Sequence, residues 1–268
     1  MSLRADFDVD EYIKSFEKPQ VPTDPEVLLA GELLKSAKEK EAEGDMDGAK
    51  ADLDEAISTL RSTTDAKKLL SAGYFARGKH WVNREKVRVL STCQQIVDAG
   101  LAIVTRRCDS LAEAQSAMRA QDYKATKDFT SALKFLDPIN ILDRAQVHYA
   151  RAMARHRRKK LPGASEDLSK AVEMLQAQIM TANDDTREQL HEMQAGWLTM
   201  HGLVVADSGD HGKAVELHTK AIGIDASVPS AWMNRASAHE GQDRWQEAIA
   251  DYSQRIELHP ETAANAYL

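Results

Sequence analysis

The sequence predicts an all-α protein built from antiparallel pairs of helices. The 268-residue chain draws heavily on residues that favour helices and contains only 13 glycines and 7 prolines. Apolar residues recur at helical spacing through most of the chain. The same order of small and large side chains also returns after about 34 residues, as in helix–turn–helix repeats.

The stretch 229–262 is the best-formed example of this pattern. It carries, in the order and spacing expected of one helix–turn–helix unit, Trp232, Ala236, Ala248, Tyr252 and Pro260. Moving back by one period brings Gly202 and Ala214 to the positions of the two alanines. The chain is therefore similar to itself at this spacing.

With these residues the chain resembles the tetratricopeptide repeat (TPR) family. The resemblance implies a right-handed superhelical solenoid of about five to six helix pairs, whose concave face is lined by the first helix of each pair. It also implies a non-enzymatic scaffold or adaptor that holds a peptide or helix of a partner protein in that groove. The pattern does not identify the partner.

Residues 1–26 are predicted to be an N-terminal arm followed by a proline-rich linker. An apolar stripe at helical spacing, Val9, Tyr12, Ile13 and Phe16, precedes three prolines between residues 17 and 26. The arm is either a disordered leader or a short helix that packs on the first repeat or in its groove. The helical array is predicted to fill 27–268.

Four repeats are in clear register: 30–63, 145–178, 195–228 and 229–262. Alanines such as Ala37, Ala49 and Ala56 stand where two helices must approach closely, because larger side chains would push the helices apart. Gly44 and Asp45 are expected to form the turn within the first repeat.

The repeat degenerates over 64–140. Ala72 and Gly73 could open a pair, the stretch 84–104 is predicted to be an elongated helix, and Phe129, Ala132 and Pro138 resemble a closing half. Surplus residues before Ala195 are predicted to form a longer loop between repeats, flanked by extended helices.

Charge, cysteine content and hydropathy limit which partners and which cellular compartment we expect for this chain. A net charge of −7 and a pI near 5.7 make nucleic acid an improbable general partner. Cys93 and Cys108 suggest neither a disulfide framework nor a metal site. No stretch is apolar enough to span a membrane, and the first residues do not resemble a secretory signal, so we expect a cytoplasmic location.

No catalytic residue, metal site or cofactor is predicted. The sequence contains none of the common motifs for metalloprotease, hydrolase or phosphate-loop chemistry. His211 and His218 are seven residues apart across a helix start, a spacing that does not bring two rings to one metal.

Candidate groove residues are those that face inward from the first helices. An extended peptide suits such a mixed surface, because Met gives adaptable contact and Asn can hold a backbone amide. The candidates are Lys38, Tyr149, Met153, His156, Thr199, Leu203, Met233, Asn234 and Ser237.

A basic run in an otherwise acidic chain is a second candidate site. It consists of Arg151, Arg155, Arg157, Arg158, Lys159 and Lys160. It is either a solvated helix C-terminus, a contact for an acidic peptide or phosphate, a surface for RNA as in other helical repeats, or a nuclear-import signal.

Some members of the TPR family are Hsp70 or Hsp90 co-chaperones that clamp a C-terminal carboxylate, and this is the nearest alternative function. Asn234, Arg235 and Ala236 match the middle repeat of that clamp. Thr199 and Leu203 stand where the clamp has Lys and Asn, so the charge that would compensate a carboxylate is missing.

Overall fold

The computed structural model describes residues 25–63, 66–67, 69–81, 104–136 and 138–258, with side chains left out over 104–118. Within these ranges every regular element is a helix, ten in all, and there is no strand. The prediction of an all-α repeat fold is confirmed. The chain divides into two compact units that meet between Arg158 and Lys159.

Five helices belong to the first unit and five to the second. The first unit contains α1 (Pro25–Glu43), α2 (Met46–Ser62), α3 (69–81), α4 (Val104–Phe135) and α5 (Ile141–Arg157). The second contains α6 (Leu161–Thr181), α7 (Asp184–Asp207), α8 (His211–Ile224), α9 (Pro229–Glu240) and α10 (Trp245–Leu258).

The turn between α1 and α2 forms at the predicted glycine and aspartate. Gly44 has a φ of +86°, a left-handed conformation that side chains disfavour. Asp45 then caps α2, since its carboxylate accepts a 2.9 Å hydrogen bond from the backbone N–H of Gly48. Gly209, with a φ of +92°, and Asp210 repeat this arrangement between α7 and α8.

Small residues on the first helices pack with large residues on the second helices. In the first unit Ala37 and Leu53 are buried together in one apolar core. Gly78 of α3 faces Phe129 of α4 so closely that an added Cβ would lie 2.5 Å from the ring. Where two helix axes come this close, one of the two facing side chains must be small or absent.

The described residues between 64 and 140 form one helix pair, α3 and α4, whose two halves are far apart in the sequence. Leu53 follows Ala37 by 16 positions, whereas Phe129 follows its partner Gly78 by 51, an excess of 35 residues. The insertion removes the period from the sequence but leaves α3 and α4 in position to pack. The elongated helix predicted at 84–104 lies, except for Val104, outside the described residues.

Before Ala195 the predicted extended helices are present, but the longer loop predicted between them is wrong. Only Ala182 and Asn183 separate α6 from α7, and Asn183 caps α7 through its side chain. The surplus residues lie within the helices, which reach 21 residues in α6 and 24 in α7. Helical residues absorb the excess because they keep their backbone hydrogen bonds.

One motif recurs on the second helices: Ala-x-x-Asp followed by a large side chain. The aspartates are 8 % exposed or less, and they are Asp52, Asp128, Asp167 and Asp251. Buried carboxylates must be paired, and Asp128 accepts hydrogen bonds of 2.8 and 2.9 Å from Arg77 and one of 3.0 Å from the Trp81 indole. In α8 this position holds Leu217, and His218 takes the place of the large residue.

Candidate functional site

The first helices α7 and α9 of the second unit lie in contact with each other as well as with α8. Leu203 on α7 is partly buried, and its equivalent on α9, Ser237, is exposed. Met233 is 39 % exposed, one residue before the partly buried Asn234. These four predicted groove residues thus have side-chain surface available to a partner.

Thr199 is the equivalent of Met233 on α7, but it is 3 % exposed. Its hydroxyl donates a 2.8 Å hydrogen bond to the carbonyl of Ala195 within the same helix. Thr199 therefore has almost no surface available to a partner.

In the first unit the remaining groove candidates lie on α1 and α5. Lys38 is exposed on α1, while Tyr149, Met153 and His156 are partly buried along one face of α5. Burial raises the pKa of the Tyr149 hydroxyl. This hydroxyl therefore stays protonated at neutral pH and can donate or accept a hydrogen bond.

Arg235, the arginine of the clamp-like Asn-Arg-Ala sequence, is used within the fold. Its guanidinium donates to both carboxylate oxygens of Asp251 at 2.6 and 2.8 Å and to the hydroxyl of Thr219 at 3.1 Å. It also lies 5.0 Å from the centre of the Trp232 ring. Arg235 thereby joins α8, α9 and α10.

The predicted basic run is divided by the boundary between the units. Arg151 donates a 3.1 Å hydrogen bond to the Thr130 hydroxyl, and Arg157 pairs with Asp122 at 2.6 Å. Lys159 has a φ of +57°, and its ammonium lies 3.4 Å from a carboxylate oxygen of Asp207 in the second unit. The remaining members are the partly buried Arg155 and Arg158 and the exposed Lys160.

Sequence analysis missed the basic residues of α4, which packs against α5. Lys127 lies 4.6 Å and Arg158 lies 4.8 Å from the centre of the exposed Tyr123 ring. The spacing of Arg119, Lys127 and Lys134 places them on one helix face, a signal that the sequence contains.

His218 is a fully buried titratable group, and neither ring nitrogen has a hydrogen-bond partner in the described structure. Its ring packs against Gly202, where an added Cβ would lie 2.5 Å from the ring carbon Cε1. Burial, with a smaller effect of Arg235, lowers the pKa of His218 to about 4. The ring is therefore neutral at pH 7.

The described residues contain no group of three or more His, Cys, Asp or Glu side chains placed to hold a metal ion. Among the described helices, none is both long and apolar enough to cross a membrane.

No protein-family model matches this sequence, and no curated protein matches it. Solved structures do match, with the arrangement of helices in common. MamA protein is 16 % identical with a TM-score of 0.55, over 88 % of this chain and 94 % of that one. YrrB, described as a TPR protein with an unusual peptide-binding site, is 13 % identical with a TM-score of 0.55, over 94 % of both chains. BtubC from P. vanneervenii is 17 % identical with a TM-score of 0.57, over 97 % and 89 %.

The chain has the tetratricopeptide-repeat fold. The resemblance predicted from Trp232, Ala236, Ala248 and Tyr252 is thus confirmed at the level of the fold. In TPR terms α3 and α4 are a single repeat with 35 additional residues between Gly78 and Phe129. Arg235 and Asp251 link the two helices of the last repeat.

Proposed function

We propose that this TPR protein is a non-enzymatic scaffold that binds a peptide or helical segment of a partner protein along its first helices. The observation that carries the proposal is the surface of α7 and α9, where Leu203 and its equivalent Ser237, together with Met233 and Asn234, keep exposed area. A mixed apolar and polar strip of this kind suits a peptide, because apolar contacts give affinity and amides fix register.

The similarity to solved structures gives this proposal a precedent. YrrB, with the same fold, is described as having a peptide-binding site. A protein or peptide partner is therefore the class we expect for this chain, and a cytoplasmic location stays a prediction.

Site-specific photo-crosslinking tests the groove directly. A photo-reactive amino acid is placed at Met233 in one variant and at Ser237 in another, and the proteins are expressed in the source cells. A matched control carries it at the exposed Glu216 on α8, a second helix. We expect one protein, identified by mass spectrometry, to be crosslinked from both groove positions and not from Glu216.

Recovery of the same proteins from all three positions would show non-specific contact and would overturn the proposal. The proposal would also be overturned if no protein is crosslinked and only small molecules co-purify. Substitution Met233→Lys should reduce the yield of the Ser237 adduct, because a charge in the strip must be desolvated on binding.

A further inference from the structure

We propose that the basic seam between α4 and α5 is a second docking surface, which binds an extended acidic segment of a partner protein. We define the basic seam as Arg119, Tyr123, Lys127, Thr130 and Lys134 of α4 with Arg144, Arg151, Arg155 and Arg158 of α5. It is separate from the groove, and the proposal does not rest on the groove's function.

The α4 side of the basic seam is a single row. Its residues follow one another at intervals of four, four, three and four, which keeps them within roughly 80° around the helix. Arg119, Tyr123, Lys127 and Lys134 are exposed. The row is about 22 Å long at 1.5 Å per residue.

The α5 side runs along this row in the opposite direction. At one end Arg144 donates to the backbone carbonyls of Leu133 and Leu136 at 3.3 and 3.2 Å. In the middle Arg151 donates to the Thr130 hydroxyl, and at the other end the Arg158 guanidinium lies over the Tyr123 ring. These contacts hold the two rows of cations side by side.

Positive charge outweighs negative charge on these two helices. Between 119 and 135 and between 141 and 158 there are nine Lys or Arg residues and three Asp residues, in a chain whose net charge is −7. Two of the aspartates are already engaged, because Asp122 pairs with Arg157 and Asp128 with Arg77. Cations gathered in this way repel one another, and an anionic ligand relieves that repulsion.

The ligand that fits best is an acidic protein segment. An extended peptide covers about 3.3 Å per residue, so about seven residues would span the row. Sites that bind single-stranded RNA usually expose several aromatic rings on which bases stack. Among the members of the basic seam, Tyr123 is the one aromatic residue.

The position of the basic seam separates it from the groove. At 100° per residue, Arg151, Arg155 and Arg158 lie on nearly the opposite side of α5 from Tyr149 and Met153. A partner on the basic seam would therefore leave the groove candidates of α5 accessible.

Binding of a labelled peptide of about seven glutamates, measured by fluorescence anisotropy with the full chain, tests the proposal. A glutamine peptide of the same length is the neutral control. We expect the glutamate peptide to bind and the double variant Lys127→Glu, Arg158→Glu to weaken binding at least about tenfold. The control is the double variant Lys220→Glu, Lys170→Glu, which makes the same charge change at exposed positions of the second unit. It should change the affinity for the glutamate peptide by less than about twofold.

Equal weakening by the seam and control variants would overturn the proposal, because general charge attraction would then explain binding. Thermal unfolding checks that the seam variant folds, and Lys127→Gln, Arg158→Gln, which removes charge without adding repulsion, provides a milder variant. Tyr123→Ala should also weaken binding of the glutamate peptide. Binding that none of these substitutions weakens would rule out the basic seam as the site.

Two other occupants are distinguished in the same assay. Tighter binding of labelled oligouridine than of the glutamate peptide, lost in the seam variant, would overturn the proposal in favour of nucleic acid. Binding of the peptide only after removal of residues 1–17, which include Asp6, Asp8, Asp10 and Glu11, would show that the chain's own acidic arm occupies the basic seam.

Discussion

At the scale of single residues, the fit between Gly202 and His218 explains why this repeat departs from its neighbours. Ala37 and Leu53 occupy the same two positions of the first repeat and share its apolar core. Gly202 instead lies against the His218 ring, as Gly78 lies against the Phe129 ring. An alanine at 202 would collide with the imidazole.

We predict that Gly202→Ala lowers the free energy of unfolding by about 1–3 kcal/mol, since the added methyl overpacks the site. His218→Leu should restore most of that loss in the double variant, because it recreates the alanine–leucine pair of the first repeat. Urea unfolding of the four proteins measures the coupling. Gly196→Ala on the same helix is the control and should not destabilise, since its Cβ meets nothing within 4 Å. Additive effects of the two substitutions would contradict the packing explanation.

At the scale of elements, the glycine–aspartate turn determines where α7 ends and α8 begins. Gly209 adopts a left-handed φ, and Asp210 accepts a hydrogen bond of 3.0 Å from the N–H of Lys213. We predict that Gly209→Ala and Asp210→Ala each cost about 1 kcal/mol, the first through backbone strain and the second through a lost cap. Gly223→Ala within α8 is the matched control, because nothing lies within 4 Å of its added Cβ. A melting temperature unchanged by Gly209→Ala would contradict the assignment of strain.

The same scale shows why sequence analysis placed some elements and not others. The turn at Gly44 and Asp45 was predictable because its chemistry is local. The α3–α4 repeat was not, since 35 additional residues separate halves that recognise each other only through Gly78 and Phe129. The excess before Ala195 was assigned to a loop between extended helices, because a period cannot show how surplus residues divide between loop and helix. The α4 half of the basic seam was missed because its cations meet those of α5 only after the helices pack.

At the scale of the whole molecule, buried histidines make stability depend on pH. Burial, with a smaller contribution from Lys213, lowers the pKa of His201 to about 4, as burial does for His218. An unfolded chain has histidine pKa values near 6.5, so it binds more protons than the folded chain between about pH 4 and 6.5. The contribution of these two neutral rings to the free energy of unfolding is fully present above about pH 6.5 and is lost as the pH falls towards about 4.

We predict that unfolding by urea becomes easier between pH 7 and pH 5, with His218 contributing about 1–2 kcal/mol of the loss. His218→Leu should make the decrease shallower, because the variant has one fewer ring to protonate on unfolding. His156→Leu is the control, since His156 is only partly buried on α5. Equal pH dependence in the wild type and in His218→Leu would contradict this origin.

The insertion within the α3–α4 repeat bears on the order in which the protein folds. Helices α1 and α2, or α7 and α8, close through turns of two or three residues, so their pairing costs little chain entropy. Gly78 and Phe129 must find each other across 51 positions, and contacts so distant in sequence slow folding. Folding should therefore nucleate at the helix pairs joined by short turns. The α3–α4 contact should form late, after the neighbouring helices have folded.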